Sequence, residues 1–173
     1  MKDSLKTGIQ YTHTFVVPQS KTVPALYPEA TEFIAMPEVF ATGFLVGFLE
    51  WACIKAIHPY LDWPFEQTVG THINVSHQAA TPIGLEVTAH VELIAIDGRK
   101  LTFNVEAHDG IDLISTGTHE RFIINREKFE AKLATKEKPN YLTLWNSSRI
   151  WPLRAASVGL ADCGFISPCL PWA

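Results

Sequence analysis

With 173 residues, 47% of them hydrophobic, the chain has enough material for one domain with a real core and too little for two. A formal net charge of −4 with no basic stretch excludes a nucleic-acid binder, which needs clustered Lys and Arg. Charged residues make up only 18%, so part of the surface is expected to be buried against a partner.

No apolar run follows Met1-Lys2-Asp3-Ser4-Leu5-Lys6, so no signal peptide is expected. Cys53, Cys163 and Cys169 lack metal spacing, and an odd count fits a disulfide framework poorly. Together these point to a reducing, cytoplasmic setting. Cys53 lies in the most apolar window and reads as an inert packed thiol.

Residues 9–17 alternate well enough for a first strand, which Pro18 ends. Residues 18–39 hold Pro18, Pro24, Pro28 and Pro37 and are expected to form a loop with short helical turns at most. The same loop carries Val23, Leu26, Tyr27, Phe33 and Met36. A loop so rich in apolar side chains must cover core or ligand.

Residues 40–57 are expected to form a helix stopped at His58-Pro59. It is apolar on nearly all sides, which predicts burial all round. A membrane span is excluded because Glu50 and Lys55 leave too short an uncharged run.

From Thr68 the period changes to two. Ile73, Val75, His77 and Ala79 share one face of a predicted strand. After the turn Thr81-Pro82-Ile83-Gly84, Leu85, Val87, Ala89, Val91 and Leu93 alternate with mostly polar neighbours. Asp97-Gly98 and Asp109-Gly110 mark two hairpins, with a last strand to about Asn125 and a short helix over 128–136.

The expected architecture is α+β: a hot-dog fold, with a long central helix wrapped by a curled antiparallel five-stranded sheet, four strands following the helix as a meander. Open sheet edges and a helix end to hide predict a homodimer. The domain is expected over 1–136. Residues 137–173, with three of the five tryptophans and no periodicity, are read as a tail outside it, either non-selected sequence or a strap along the dimer.

Glu50 is the only charge between Ala41 and Ile54, and a carboxylate in such company is costly without partners. It is either an exposed helix position or a positioned acid with functional chemistry. His77 interrupts the inward apolar face of its strand, as a hydrogen-bonded core residue or an acid–base group. Thr42 lies in the first helical turn, where capping is the ordinary role.

Eight residues separate Thr42 from Glu50, about 12 Å of helical rise. If Thr42, Glu50 and His77 share one site, the helix is broken at Thr42 or the site crosses a dimer interface. Gly70 is a turn glycine or a backbone N–H open to a ligand carbonyl. Gly43 and Gly47 permit close packing. His119 and Arg121 alternate with Thr118 and Glu120, the pattern of a solvated strand face. No zinc spacing or phosphate loop is present, so no metal or cofactor is expected.

Several blocks occur in order: residues 40–53 around Thr42 and Glu50, Gly70-Thr71, His77 with Ala79-Ala80-Thr81-Pro82, residues 107–110, and Gly117-Thr118-His119-Glu120-Arg121. Over residues 7–136 they closely resemble the fluoroacetyl-CoA thioesterase family of hot-dog enzymes. The resemblance implies hydrolysis of a short acyl-CoA thioester at a dimeric site. It implies that Thr42, Glu50 and His77 are the working residues and that Gly70 is the oxyanion donor. It places apolar lid residues at Val23, Leu26, Phe33 and Met36. Where the fluoroacetate-specific member carries a phenylalanine gate, this chain has Met36, flexible rather than flat, which puts fluoroacetyl selectivity in doubt.

The expected function is thus acyl-CoA thioester hydrolysis by a cytoplasmic homodimer that binds neither nucleic acid nor membrane. The rivals are a non-catalytic hot-dog dimer that binds acyl-CoA, and an enoyl-CoA hydratase. The hydratase ranks last because no Asp accompanies His77 on its strand.

Overall fold

The computed structural model describes residues 1–136. The expectations for the tail lie outside these residues. Strand β1 spans Gln10–Val16. The proline-rich loop holds two 3-10 turns, Gln19–Lys21 and Val23–Ala25, and a one-turn helix α1 at Thr31–Ile34. Helix α2 runs Thr42–Ile57 and passes into the 3-10 turn His58–Tyr60 at Pro59. Strands β2 (Glu66–Val75), β3 (Glu86–Asp97), β4 (Lys100–His108) and β5 (Leu113–Asn125) follow, and α3 (Arg126–Ala134) closes the domain.

The sheet is antiparallel, in the order β1-β3-β4-β5-β2. Three consecutive strands, β3 to β5, form the expected meander through their Asp-Gly turns; Gly98 (φ 57°) and Gly110 (φ 86°) take the left-handed backbone those turns require. The four-strand meander is corrected at β2, which pairs with β5 rather than β3. The physical reason is the connection from Ser76 to Leu85, long enough to cross beneath the start of α2 from one side of the sheet to the other. It runs alongside β5 as it leaves: Ser76 N–H donates to Thr116 O (2.9 Å) and Gln78 N–H to Ile114 O (3.0 Å).

Helix α2 lies on the concave face of the sheet. Leu45, Leu49, Ala52, Cys53 and Ile57 are fully enclosed against Val87, Leu93, Leu101, Phe103 and Ile123. Burial of each large aliphatic side chain contributes about 1.5–3 kcal/mol. The helix is not buried all round, however. Gly43 and Gly47 are exposed and Trp51 is 48% exposed, so among the described residues nothing covers one face of the helix. Among the described residues no helix is long and apolar enough to cross a membrane.

Candidate active site

The site begins where α2 begins. Ala41 is the N-cap, extended and without a side-chain cap, so Thr42 is not the capping residue. The helix start is pinned by backbone instead: Phe40 N–H donates to Thr81 O (2.8 Å) and Ala41 N–H to Lys21 O (3.0 Å). This frees the Thr42 hydroxyl, whose Oγ1 lies 2.8 Å from Nδ1 of His77.

His77 lies two residues beyond β2, in the crossing connection, rather than on a strand face. Its neighbours on both sides are tied to β5, which fixes the ring beside the helix. Burial pushes its pKa below the ordinary histidine value, so it is a neutral base at neutral pH. Its Nε2 is enclosed with no hydrogen-bond partner among the described residues. Thr42 and His77 border a cavity of about 280 Å³ together with Val23, Val39, Phe40 and Ala79.

Glu50 is held two turns further along. Its Oε1 accepts from Nη1 of Arg121 at 3.1 Å and lies 3.5 Å from Nε2 of His119. Arg121 is only 3% exposed and is locked in place: its Nε donates to Thr68 Oγ1 (2.9 Å), its Nη2 to Thr68 O (3.0 Å) and its Nη1 also to His119 Nε2 (3.0 Å). His119 Nδ1 donates to His72 O (2.8 Å), which leaves Nε2 as the lone-pair nitrogen facing Arg121. Burial lowers the pKa of His119 as well, consistent with a neutral ring.

Gly70 lies inside β2, beside a register shift, rather than in a turn. A Cβ there would collide with Glu50 Oε1, so only glycine lets this backbone and that carboxylate approach.

The Thr42–His77 and Glu50–Gly70 pairs are therefore two separate clusters within one chain. Of the two geometries the spacing allowed, the helix break is excluded, because α2 is continuous from Thr42 through Glu50. Cys53, fully buried behind Glu50, has its thiol pushed up to about 12 by burial, and is inert.

The lid candidates are spread over the loop. Val23 borders the Thr42 cavity, and Leu26 leans over Gly43, with its Cδ2 3.0 Å from where a Cβ would sit. Phe33 stacks on Tyr27 at 5.8 Å, and Met36 is 52% exposed.

His119 and Arg121 correct the solvated-face expectation. Their strand face also carries Ile123, and all three point at α2. A signal was present: a lone acid in an apolar helix calls for a cation, and Arg121 stands two residues before a core isoleucine. Among the described residues no group of three side chains is placed to hold a metal ion.

The chain matches the model of the fluoroacetyl-CoA-specific thioesterase family over residues 20–127. It is 56% identical over 136 residues to the fluoroacetyl-CoA thioesterase of Streptantibioticus cattleyicolor, covering 79% of this chain and 97% of that one. A solved fluoroacetyl-CoA thioesterase superposes with a TM-score of 0.76 at 54% identity, covering 79% of this chain and all of that one. A mutant of that enzyme, solved with fluoroacetate and CoA, superposes with a TM-score of 0.70 at 56% identity over 72% of this chain and 99% of its own. A thioesterase superfamily member from Thermus thermophilus superposes at 0.67 with 26% identity, covering 76% and 93%. The fold is the hot-dog fold, and the chain is a member of the fluoroacetyl-CoA-specific thioesterase family.

Proposed function

We propose that this protein is a cytoplasmic homodimer that hydrolyses a short-chain acyl-CoA thioester, fluoroacetyl-CoA among its substrates, to the free acid and CoA. The observation that carries the reading is the hydroxyl–imidazole pair of Thr42 and His77 at 2.8 Å, bordering an open cavity. A neutral His77 has a lone pair with which to take the proton of the Thr42 hydroxyl or of a water held there. The same ring then returns a proton to the CoA thiolate as the carbon–sulfur bond breaks.

Glu50 and Gly70 of the partner subunit complete the site. Among the described residues the outer edge of β2 is unpaired and one face of α2 is uncovered, which supports joining two copies on that side. The thioester carbonyl then accepts from the backbone N–H of Gly70, the oxyanion donor. Glu50, with Oε1 held by Arg121, keeps Oε2 free to orient the attacking water or to attack the carbonyl itself. Val23, Leu26, Phe33 and Met36 close over the acyl group. Met36, flexible where the fluoroacetate-specific relative is stiff, relaxes the preference for fluoroacetyl over acetyl.

The test is complementation. Purified Thr42→Ala and Glu50→Gln proteins are each expected to lose acyl-CoA hydrolysis by a factor of about 10²–10⁴. Unfolded together and refolded as mixed dimers, they are expected to regain about a quarter of wild-type activity, since half the dimers then carry one intact composite site. No recovery in verified mixed dimers overturns the shared site. Binding of acyl-CoA with no CoA release from the wild-type protein favours the non-catalytic dimer instead.

A further inference from the structure

His119 is only 2% exposed, on the face of β5 that carries the core residue Ile123. A polar ring buried there costs desolvation that an aliphatic side chain would not. Both of its nitrogens are engaged. Nδ1–H donates to His72 O at 2.8 Å, and Nε2 accepts from Arg121 Nη1 at 3.0 Å. That pattern requires a neutral ring with its one proton on Nδ1. Burial, with the Arg121 cation adding to it, favours the neutral form.

Each bond has a distinct effect. His72 O belongs to the irregular part of β2. Gly70 is paired with Arg121 and His72 with Glu120, so Thr71 is an extra residue, a bulge in the strand. A bulge re-aims the groups beside it. Gly70 has no side chain with which to anchor that backbone. The His119 ring lies over it instead, with Cε1 3.1 Å from where a Cβ at residue 70 would sit.

The other bond shapes the ion pair. A guanidinium beside a carboxylate commonly closes a two-bonded fork. Here Nε and Nη2 are committed to Thr68, and the two Nη1 hydrogens are divided between Glu50 Oε1 and His119 Nε2. Glu50 is therefore held through one oxygen, and among the described residues its Oε2 accepts no hydrogen bond.

We infer that His119 is a positioning residue for the thioester reaction: it ties the Gly70–Thr71 bulge to Arg121, and so fixes the Gly70 backbone and the singly held Glu50 carboxylate relative to each other. The role rests on the hydrolysis proposed above. His119 acts through its two hydrogen bonds and exchanges no proton with substrate.

Two measurements test it, the first independent of turnover. Imidazole nitrogen chemical shifts of the full-length protein at neutral pH, assigned by loss of the signal in His119→Asn, are expected to show a neutral ring protonated on Nδ1. A charged ring, or a proton on Nε2, overturns the inference whatever the protein hydrolyses.

The second is acyl-CoA hydrolysis by folded variants, each with its melting temperature. His119→Asn keeps a donor for His72 O and gives up the acceptor for Arg121; His119→Gln does the reverse. Each is expected to lower kcat about tenfold with KM within about threefold of wild type, and His119→Phe, which keeps neither bond, to lower kcat about a hundredfold. In an Arg121→Met background, His119→Asn is expected to cost less than about twofold further, because the bond it removes is already gone. If His119→Phe fails to fold, the Asn and Gln variants and this double variant decide. Unchanged kcat in folded His119→Asn and His119→Gln proteins overturns the inference, as does a double variant whose loss is the product of the single losses. A wild-type protein that releases no CoA removes the reaction, and the role with it, while the tautomer stands or falls separately.

Discussion

The start of α2 and its middle carry clusters of opposite character. At the start, Thr42 and His77 are neutral partners joined by one hydrogen bond, and their geometry is set by backbone. Phe40 N–H is tied to Thr81 O, and the residues flanking His77 are tied to β5. In the middle, Glu50 is paired with a buried cation, and its geometry is set by side chains, since Arg121 donates four bonds to Thr68, His119 and Glu50. Desolvation keeps the His77 ring neutral, whereas the Glu50 carboxyl is held in place by Arg121. The two halves should therefore fail in different ways: one when the loop around His77 loosens, the other when charge is removed from β5.

The sharpest test of that difference is Arg121→Gln. It removes the cation and keeps a planar donor. Glu50 loses its ion-pair partner and the hydrogen bond that fixes its Oε1. Turnover at neutral pH is expected to fall about a hundredfold, because the carboxylate is no longer held. Stability is expected to fall by at most about 3 kcal/mol, since Glu50 is 37% exposed and water takes up part of its charge. Arg121→Lys is expected to leave turnover depressed, because a point charge beside Glu50 cannot also hold Thr68. Unchanged turnover in a folded Arg121→Gln protein would show that Arg121 serves only packing.

At the other end, the matching test is Asp109→Ala. Asp109 is buried at the turn before β5; burial pushes its pKa up, but the N–H groups of Asp112 and Ile111 and the Thr81 hydroxyl outweigh it and hold the carboxyl below its ordinary value. Removing it strands these three donors, at an expected cost of about 1–3 kcal/mol in denaturant unfolding. Because Thr81 O also receives the Phe40 N–H, turnover is expected to drop several-fold. A loss as large as that of Arg121→Gln would mean that the two ends are not independent.

Much of the fold was legible because it rests on local chemistry. The Asp-Gly turns, the alternation in β3 and β4, the prolines of the lid loop and the stop at Pro59 each act within a few residues. The pairing of β2 was not legible, because nothing in a strand's own alternation says which edge it joins. The same limit hid His77, whose place in the period of two continued β2 past its real end. His119 and Arg121 were misread for a related reason. Polar residues in alternation look solvated until the partner that needs them, here Glu50, is placed across the core. Glu50 stood out because it breaks a local rule, an acid among apolar residues, whereas Thr42 read as a capping position and Gly70 as a turn glycine, and only the resemblance singled them out; the free hydroxyl and the in-strand glycine emerge in the fold.

The smallest expected effect separates the two ends by pH. His77, His119 and His13 all have pKa values pushed below 6.5, in each case chiefly by burial. In the unfolded chain these rings take up protons near pH 6.5, while in the folded protein they hold out to lower pH. Between the two values the unfolded state binds more protons, so stability rises with pH across that window. The contribution is fully present above about pH 7 and is lost as the pH falls below 6.5. Asp109 acts lower: with its carboxyl held below 3.8, its stability is lost only as the pH falls through that region. Melting temperature is thus expected to be level from pH 7 to 8 and to drop a few degrees by pH 5. His77→Gln is expected to remove part of that drop, since a residue that cannot protonate takes its share of the slope with it. If the melting temperature is instead level down to pH 5, the three rings are already as easy to protonate in the fold as outside it. Thr42 would then have lost the neutral base that distinguishes its end of the helix from the charged one.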